Sequence, residues 1–231
     1  MTTDPRDHAF TLYPYHDVVI DSAAGCRLTD TDGKTYLDLA SGQLSAALGH
    51  AHPRLVRAAA EQAASAVNLG NRFLAAQTLD ACAEIAAVCG EGLEKVVLCS
   101  TGSEANELAV RIARAATGNH ELVGVRRGYY GATHEMLSLS EFVGFIKGIG
   151  ARSPGIHKLL CPDCQRCPLG LAVETCDIAC VARSAEQLAE DSTGSIAAFL
   201  VEPVLGSAGV IVPPPGFFHA VRKLCDAHGA L

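Results

Sequence analysis

The chain has 231 residues, of which 49% are hydrophobic and 19% are charged, a balance that predicts a globular protein with a sizeable core. Its formal net charge of -7 provides no basic surface for nucleic acid or an anionic membrane, and no apolar run approaches the ~20 residues that span a bilayer. The opening residues MTTDPRDHAF lack the basic and apolar regions of a secretory leader, so we expect a cytoplasmic location, with small molecules or another subunit as partners.

The amino-terminal part of the chain predicts a hairpin followed by two helices. Asp32-Gly33, a pair typical of a type I′ turn, lies between two apolar stretches and predicts a β-hairpin. Pro53 suits the first turn of a helix, and a second helix is predicted over about 77–88. The first of these helices is expected to turn one apolar face to a core: Leu55, Ala59, Ala63 and Val67.

Short, nearly continuous apolar runs follow and alternate with helical patterns. They occupy residues 96–99, 121–125 and 197–201, and their composition is typical of strands covered on both faces. The alternation predicts an α/β fold with a parallel-rich sheet, helices on both faces and right-handed crossovers. We therefore divide the chain into an amino-terminal segment, residues 1–49, which contains the hairpin, and a larger domain, residues 50–231.

The stretch LCSTGSEANELAVRIARAATG, residues 98–118, predicts a strand end, a tight turn and an amphipathic helix. Thr101 and Glu104 form a capping box, and Gly118 ends the helix. Amide groups and the positive end of the helix dipole converge at residues 101–103, a setting that favours a bound phosphate. The same pattern alone is equally typical of any capped helix in an α/β protein. The buried stripe of this helix is predicted to be Ala105, Leu108, Ala109, Ile112 and Ala116.

Two more segments follow predicted strands. GYYGAT, residues 128–133, comes after one strand, and VEPVLGSAGVIVPPPGFF, residues 201–218, comes after another. The carboxyl ends of parallel strands meet at one edge of a sheet, where ligands bind. An aromatic side chain, a phosphate turn and a carboxylate are therefore expected in one crevice, with Tyr129 placed to stack on a flat ring. Taken singly, Tyr129 and Tyr130 are better explained as half-buried packing residues and Glu202 as a helix-side or loop charge.

In this order, the segments TDTDGKTYLDLASGQLSAALGHAHP, STGSEANELAVRIAR, GYYGAT and VEPVLGSAGVIVPPPGF resemble class III aminotransferases along essentially the whole chain. The resemblance implies a fold-type I enzyme that uses pyridoxal 5′-phosphate to move an amino group from a small-molecule donor to a keto acceptor, working as a homodimer. Within the family, SGQLSAALGH and the EPVL variant of a commoner EPVQ motif are most similar to 2,2-dialkylglycine decarboxylase, which implies decarboxylation as a possible additional activity.

The resemblance assigns roles to individual residues. It implies that Thr101, Gly102 and Ser103 bind the 5′-phosphate of the cofactor, and that Tyr129 stacks on its pyridine ring with Tyr130 as the second aromatic residue of the motif. Tyr130 departs mildly from the family, where this position is usually His or another aromatic residue.

Two further residues are implied as catalytic. In the decarboxylase pattern, the residue matching Gln43 contacts the scissile carboxylate, and the residue matching Glu202 lies beside the substrate. A buried amide that ties down the domain junction is an equally good account of Gln43. The sequence does not identify the donor or the acceptor, and it does not separate decarboxylation from simple transamination.

The chain contains neither the aspartate that pairs with the pyridine nitrogen nor the Schiff-base lysine that the family carries in later segments. No lysine stands in a matching context, the candidates being Lys34, Lys95, Lys147, Lys158 and Lys223. Because these groups carry the covalent and electron-sink steps, we expect an amino-terminal portion that is inactive alone. The alternatives are a non-catalytic remnant that binds pyridoxal phosphate and a zinc-stabilised interaction protein.

A cysteine-rich insert occupies residues 161–180. Its thiols follow the pattern C-x₂-C-x₂-C-x₈-C-x₃-C and belong to Cys161, Cys164, Cys167, Cys176 and Cys180. Two close pairs could supply four thiolates to Zn²⁺. The spacing is less suited to an iron-sulfur cluster. Reduced thiols or a local disulfide are favoured over a metal, because the insert has no histidine, its cysteine count is odd and the family needs no metal there.

Overall fold

The computed structural model describes residues 5–9, 15–70, 72–141 and 143–231. The chain divides into two compact units, Met1–Glu94 and Lys95–Leu231. The predicted division after residue 49 stays a prediction. Among the described residues, no helix combines the length and the apolar character needed to cross a membrane.

The first unit contains a small antiparallel sheet and two helices. After a short 3-10 turn, Pro5–His8, the strands lie in the order β1-β2-β3, and the elements are β1 (Ile20–Ala24), β2 (Arg27–Asp30), β3 (Thr35–Leu37), α1 (Pro53–Ser65) and α2 (Ala76–Cys89). Both predicted helices are present. Pro53 stands in the first turn of α1, where the missing proline N–H has no helical partner to lose.

The predicted hairpin forms between β2 and β3, but its turn is not of type I′. A type I′ turn needs positive φ at both central residues, whereas Gly33 has a φ of 82° and Asp32 has no positive φ. The turn is organised by the Asp30 carboxylate. Its Oδ1 accepts hydrogen bonds from the N–H groups of Asp32 (3.0 Å) and Lys34 (2.8 Å), and its Oδ2 accepts one from the Tyr36 hydroxyl (2.7 Å). An aspartate that binds the backbone just after itself thus replaces the predicted turn chemistry.

The predicted buried face of α1 is exposed in this unit. Leu55 is 55% exposed and no residue of α1 is buried. The apolar spacing is correct for a helix, but none of the described strands or helices of the unit packs along that face. The spacing of apolar residues thus predicted the helix correctly, but it did not predict which element packs against its apolar face.

The second unit is an α/β structure around a parallel sheet. Its strands lie in the order β5-β4-β6, and the elements are α3 (Gly102–Thr117), β4 (Glu121–Val125), α4 (His134–Leu139), α5 (Val143–Ile146), β5 (Ile156–Leu159), α6 (Ala179–Asp191), β6 (Ile196–Phe199) and α7 (Phe217–Ala227). All five residues of β4 are buried. The predicted α/β fold with a parallel sheet is confirmed.

Helices cover both faces of this sheet. Successive side chains of a strand point to opposite faces, and β4 follows this rule. Val123 and Val125 belong to a core cluster with Phe217 of α7, whereas Leu122 belongs to a second cluster with Val110 of α3. The sheet therefore has an apolar core on each side, as expected for parallel strands.

Two predictions about the start of this unit are wrong. Residues 96–99 are not a strand, and Val97 is 64% exposed, because no described strand lies alongside to pair with them. The buried stripe of α3 consists of Val110 and Ala113 rather than the predicted residues, of which Ile112 is 53% exposed. The helix is rotated from the prediction because its side chains meet the sheet through the Val110 face.

A buried carboxylate closes the amino-terminal end of the sheet. Glu121 is 2% exposed and accepts hydrogen bonds from the Ser192 hydroxyl and from both the N–H (3.0 Å) and the hydroxyl (2.9 Å) of Thr193. His157 Nε2 lies 3.5 Å from Oε2 of Glu121, the oxygen that accepts from Ser192. Burial alone would raise the pKa of Glu121, but these hydrogen bonds outweigh it and lower the pKa to about 2.

We expect Glu121 to make stability depend on pH. Because its folded pKa is below its unfolded value of 4.5, its contribution is complete above that pH and is lost as the pH falls toward about 2. Glu121→Gln is expected to lower the free energy of unfolding at pH 7 by roughly 1–3 kcal/mol and to flatten its dependence on pH between 4.5 and 2. Urea unfolding followed by circular dichroism measures both effects.

Glu190→Gln is the matched control, since Glu190 is exposed on α6, and we expect a change within about 0.5 kcal/mol. An equal pH slope for Glu121→Gln and the unaltered chain would show that this carboxylate does not govern acid stability.

Candidate active site

The amino terminus of α3 has the geometry that the sequence predicts. Thr101 is the N-cap, with φ -140° and ψ 158°, and its hydroxyl accepts a hydrogen bond from the N–H of Glu104 (3.2 Å). The Glu104 carboxylate in turn accepts from the N–H groups of Ser100 and Thr101, both at 3.0 Å. The capping box is complete, and the helix ends at Gly118 with a left-handed φ of 73°.

The turn at residues 101–103 leaves room for an anion. A Cβ placed on Gly102 would meet no atom within 4 Å, so the backbone of the first helical residue faces open space. The positive end of the α3 dipole lies at this point. These features fit a phosphate group, whose oxygens would be bound by backbone N–H groups and helix polarity.

The loop after β4 rests directly on this turn. The N–H of Ala132 donates a hydrogen bond to Ser103 Oγ at 2.9 Å. A Cβ on Gly131, which has a φ of 142°, would lie 2.6 Å from the same Oγ and 3.0 Å from the Ser103 Cα. Only glycine allows this approach, so the loop at residues 128–133 and the first turn of α3 form one surface.

Tyr130 anchors the loop at residues 128–133 to the core of the unit. Its side chain is 5% exposed, and its hydroxyl accepts a hydrogen bond from the N–H of Val125 at 2.7 Å. Its own N–H donates to Ser140 Oγ, and its carbonyl accepts from Asn106 Nδ2 at 2.7 Å. Burial raises the pKa of this phenol. The ring lies in the core, so a direct contact between Tyr130 and a cofactor stays a prediction.

Glu202 connects the loop after β4 to the loop after β6. Its Oε1 accepts a hydrogen bond from the N–H of Tyr129 at 2.8 Å, and its Oε2 accepts one from the N–H of Gly206 at 3.3 Å. Tyr129 is half-buried. The structure thus brings together residues 101–103, the Tyr129 loop and Glu202 in one unit, as the sequence predicted, although the segment that precedes residue 101 is not a strand.

Gln43 is placed elsewhere. It lies in the first unit, in a run of turns over residues 41–48, with an exposed side chain and a φ of 56°. It is therefore not a buried amide in this unit, and its catalytic role stays a prediction.

Asn106 was missed by the sequence interpretation. It lies one turn into α3, and its amide holds the Tyr130 carbonyl across 24 residues of sequence. Its only sequence signal was its place within the amphipathic pattern, where a polar residue on the inward face needs a hydrogen-bond partner.

The cysteine-rich insert forms a small cavity of about 20 Å³, and all its thiols are free. The residues that line it include Cys161, Cys164, Cys167, Cys176 and Cys180. Burial raises the pKa of Cys164, and the neighbouring thiols of Cys176 and Cys167 add to this effect. Across the described ranges, no three His, Cys, Asp or Glu side chains are arranged to hold a metal ion. The zinc alternative therefore rests on the cysteine spacing alone.

Lys158 differs from the other lysines in its burial. It lies on β5, and its buried Nζ, 5.7 Å from the centroid of the Tyr130 ring, has no hydrogen-bond partner among the described residues. Burial lowers its pKa to about 8. The lowered pKa makes the neutral amine form of Lys158 easier to reach than that of an ordinary lysine.

Tyr130→Phe tests how the loop is anchored. The change removes the acceptor for the buried N–H of Val125, so we expect a loss of roughly 1–3 kcal/mol in the free energy of unfolding. Tyr15→Phe, at a residue that is 72% exposed, is the control and should change the value by less than about 0.5 kcal/mol. Equal stabilities of the two variants in urea unfolding would contradict the anchoring role.

Comparisons with known proteins show the family of the chain. The sequence profile of the family Aminotransferase class-III matches residues 12–231. The 4-aminobutyrate aminotransferase of Escherichia coli is 35% identical over 94% of this chain and 50% of its own length, and the acetylornithine aminotransferase of Methanopyrus kandleri is 33% identical over 95% and 51%. The chain spans about half the length of the curated relatives it matches.

Solved structures lead to the same family. The (S)-enantioselective omega-transaminase of Thermomicrobium roseum superposes with a TM-score of 0.86 at 29% identity, covering 98% of this chain and 54% of its own. A PLP-bound amine transaminase from an uncultivated Pseudomonas species has a TM-score of 0.83 at 26% identity, covering 100% and 53%. The predicted fold-type I architecture is confirmed by these superpositions, and the chain belongs to the class III aminotransferases, a family that depends on pyridoxal 5′-phosphate.

Proposed function

We propose that this chain supplies the phosphate- and ring-binding part of an aminotransferase site that moves an amino group from a small-molecule donor to a keto acceptor. The observation that carries the proposal is the contact of Gly131 and Ala132 with Ser103, which joins the open helix terminus to the Tyr129 loop. Pyridoxal 5′-phosphate, when bound, supplies the electron sink for such chemistry. The chain's own residues bind and orient it.

The proposal gives each residue a role. The turn of Thr101, Gly102 and Ser103 binds the phosphate at the start of α3. The backbone donors are the N–H groups of Gly102 and Ser103, because the Thr101 N–H donates to Glu104. Tyr129 stacks on the ring, and Glu202 fixes the Tyr129 backbone through its N–H. We assign Glu202 this orienting role in addition to the place beside the substrate that the family resemblance implies.

Decarboxylation is a further part of the proposal. The resemblance of SGQLSAALGH to 2,2-dialkylglycine decarboxylase supports a role for Gln43 at a substrate carboxylate. Several relatives are named for substrates with an amino group at the end of the carbon chain, among them 4-aminobutyrate and 5-aminovalerate, which supports donors of that class. We also propose that the working protein is a cytoplasmic homodimer.

Gly131→Ala tests the joined surface. Titration of the purified chain with pyridoxal 5′-phosphate, followed by cofactor absorbance, should give saturable binding. The added Cβ would lie 2.6 Å from Ser103 Oγ, so we expect affinity to fall by about tenfold or more. Gly170→Ala is the matched control because Gly170 also has a positive φ, 67°, but nothing within 4 Å of the added Cβ. Absence of binding by the unaltered chain would overturn the proposal.

A second experiment tests the expected inactivity. No lysine of this chain matches the Schiff-base lysine of the family. Borohydride reduction of the chain with bound pyridoxal 5′-phosphate should therefore attach less than one cofactor per chain, spread over several lysines. Amino-donor turnover by the chain alone should be undetectable. Stoichiometric labelling of one lysine, with Lys158 the residue to inspect because of its lowered pKa of about 8, would contradict this expectation.

A further inference from the structure

Arg127 has an unusual backbone and an unusual set of partners. It lies two residues after β4 and two before Tyr129, and its φ is 66°. A residue other than glycine in the left-handed region costs about 1 kcal/mol or more and persists only where its surroundings hold it. The contacts of its side chain therefore need an explanation.

Its guanidinium group reaches two other loops. Nη1 lies 2.8 Å from Asp163 Oδ2, in the segment after β5, and Nη2 donates to the carbonyl of Ala208 at 2.6 Å, in the segment after β6. The backbone N–H of Arg127 donates to Glu141 at 3.1 Å. One side chain thus connects the loops that follow all three strands of the parallel sheet.

The partner carboxylate is held firmly. The Asp163 side chain is 7% exposed, and its other oxygen accepts a hydrogen bond from the N–H of Arg166 at 3.1 Å. Burial raises the pKa of Asp163, but the bond from Arg127 and the backbone bond from Arg166 outweigh it, so the carboxyl stays ionised at neutral pH. Separating the two side chains would leave the buried Asp163 charge without its partner, which is strongly destabilising. The pair therefore restricts the movement of both loops.

We propose that Arg127 is a positioning residue that holds Tyr129 against the cofactor ring by locking the three loops to one another, with Asp163 as its anchor in the cysteine-rich insert. The inference rests on the proposed function. Glu202 ties the Tyr129 loop to the segment after β6, and Arg127 ties the same two segments a second time through Ala208. In this way the cysteine-rich insert supports the site, and this role does not require the insert to bind a metal.

The test separates ring binding from phosphate binding. Arg127→Asn removes the guanidinium, while asparagine tolerates the left-handed backbone. We expect the affinity for pyridoxal 5′-phosphate to fall on the order of tenfold, the loss that supporting contacts around a bound group commonly cause. The affinity for inorganic phosphate, read from the amide shifts of Gly102 and Ser103, should change less than about twofold, because the α3 turn is untouched.

Two more variants make the test specific. Asp163→Asn should also weaken cofactor binding. The double variant should lose less binding free energy than the two single variants added together, because the two residues form one ion pair. Arg127→Lys should recover part of the affinity by restoring the charge pair. Arg183→Gln, which breaks the exposed Arg183–Glu186 pair, is the control and should leave binding unchanged.

A readout without ligand keeps the two proposals distinguishable. Hydrogen exchange at the Tyr129 amide, which donates to Glu202, should become about tenfold faster in Arg127→Asn. Unchanged exchange and unchanged cofactor affinity would overturn the inference while leaving the proposed function intact. Equal losses of affinity for cofactor and for inorganic phosphate would also overturn the inference, because they would show that Arg127 supports the fold in general and not the ring-binding loop. Failure of the unaltered chain to bind the cofactor, with exchange accelerated as expected, would overturn the proposed function alone and leave Arg127 as a loop tie.

Discussion

The hydrogen bond from the Val125 N–H to the Tyr130 hydroxyl folds the loop back onto the strand that precedes it. Because every residue of β4 is buried, the chain must leave the sheet there without exposing unpaired backbone groups to the core. The phenol satisfies one of those groups, and Ser140 and Asn106 satisfy the backbone of Tyr130 itself. The path of the loop toward Ser103 depends on this burial.

Polar side chains stabilise both ends of the sheet, but in different ways. At the amino-terminal end, Glu121 is satisfied by Ser192 and Thr193, which follow α6 and precede β6, so the carboxylate closes the sheet. At the carboxyl end, Glu202 accepts hydrogen bonds from the backbone N–H groups of two loops, those of Tyr129 and Gly206. The first arrangement contributes mainly to folding, and the second creates a surface on which a ligand can be oriented.

Features encoded by neighbouring residues could be predicted from the sequence. The capping box of Thr101 and Glu104, the left-handed Gly118 and the strand over 121–125 each depend on a few adjacent positions. The unpaired segment 96–99 could not be predicted, because an apolar run becomes a strand only beside another strand. The ties made by Arg127 join positions 36 and 81 residues apart, and no local pattern records such distances.

Loops after parallel strands have no regular backbone ladder, so their rigidity must come from side chains. In this unit each tie bridges different segments: Tyr130 joins the loop to β4, Glu202 joins it to the segment after β6, and Arg127 joins both to the cysteine-rich insert. A ring-stacking residue contributes more binding free energy when its orientation is fixed before the ligand arrives, because ordering it later costs entropy. The predicted aminotransferase chemistry gives the cysteine-rich insert no role. In our proposal the insert contributes to cofactor binding because Asp163 holds Arg127, and with it the Tyr129 loop, in place.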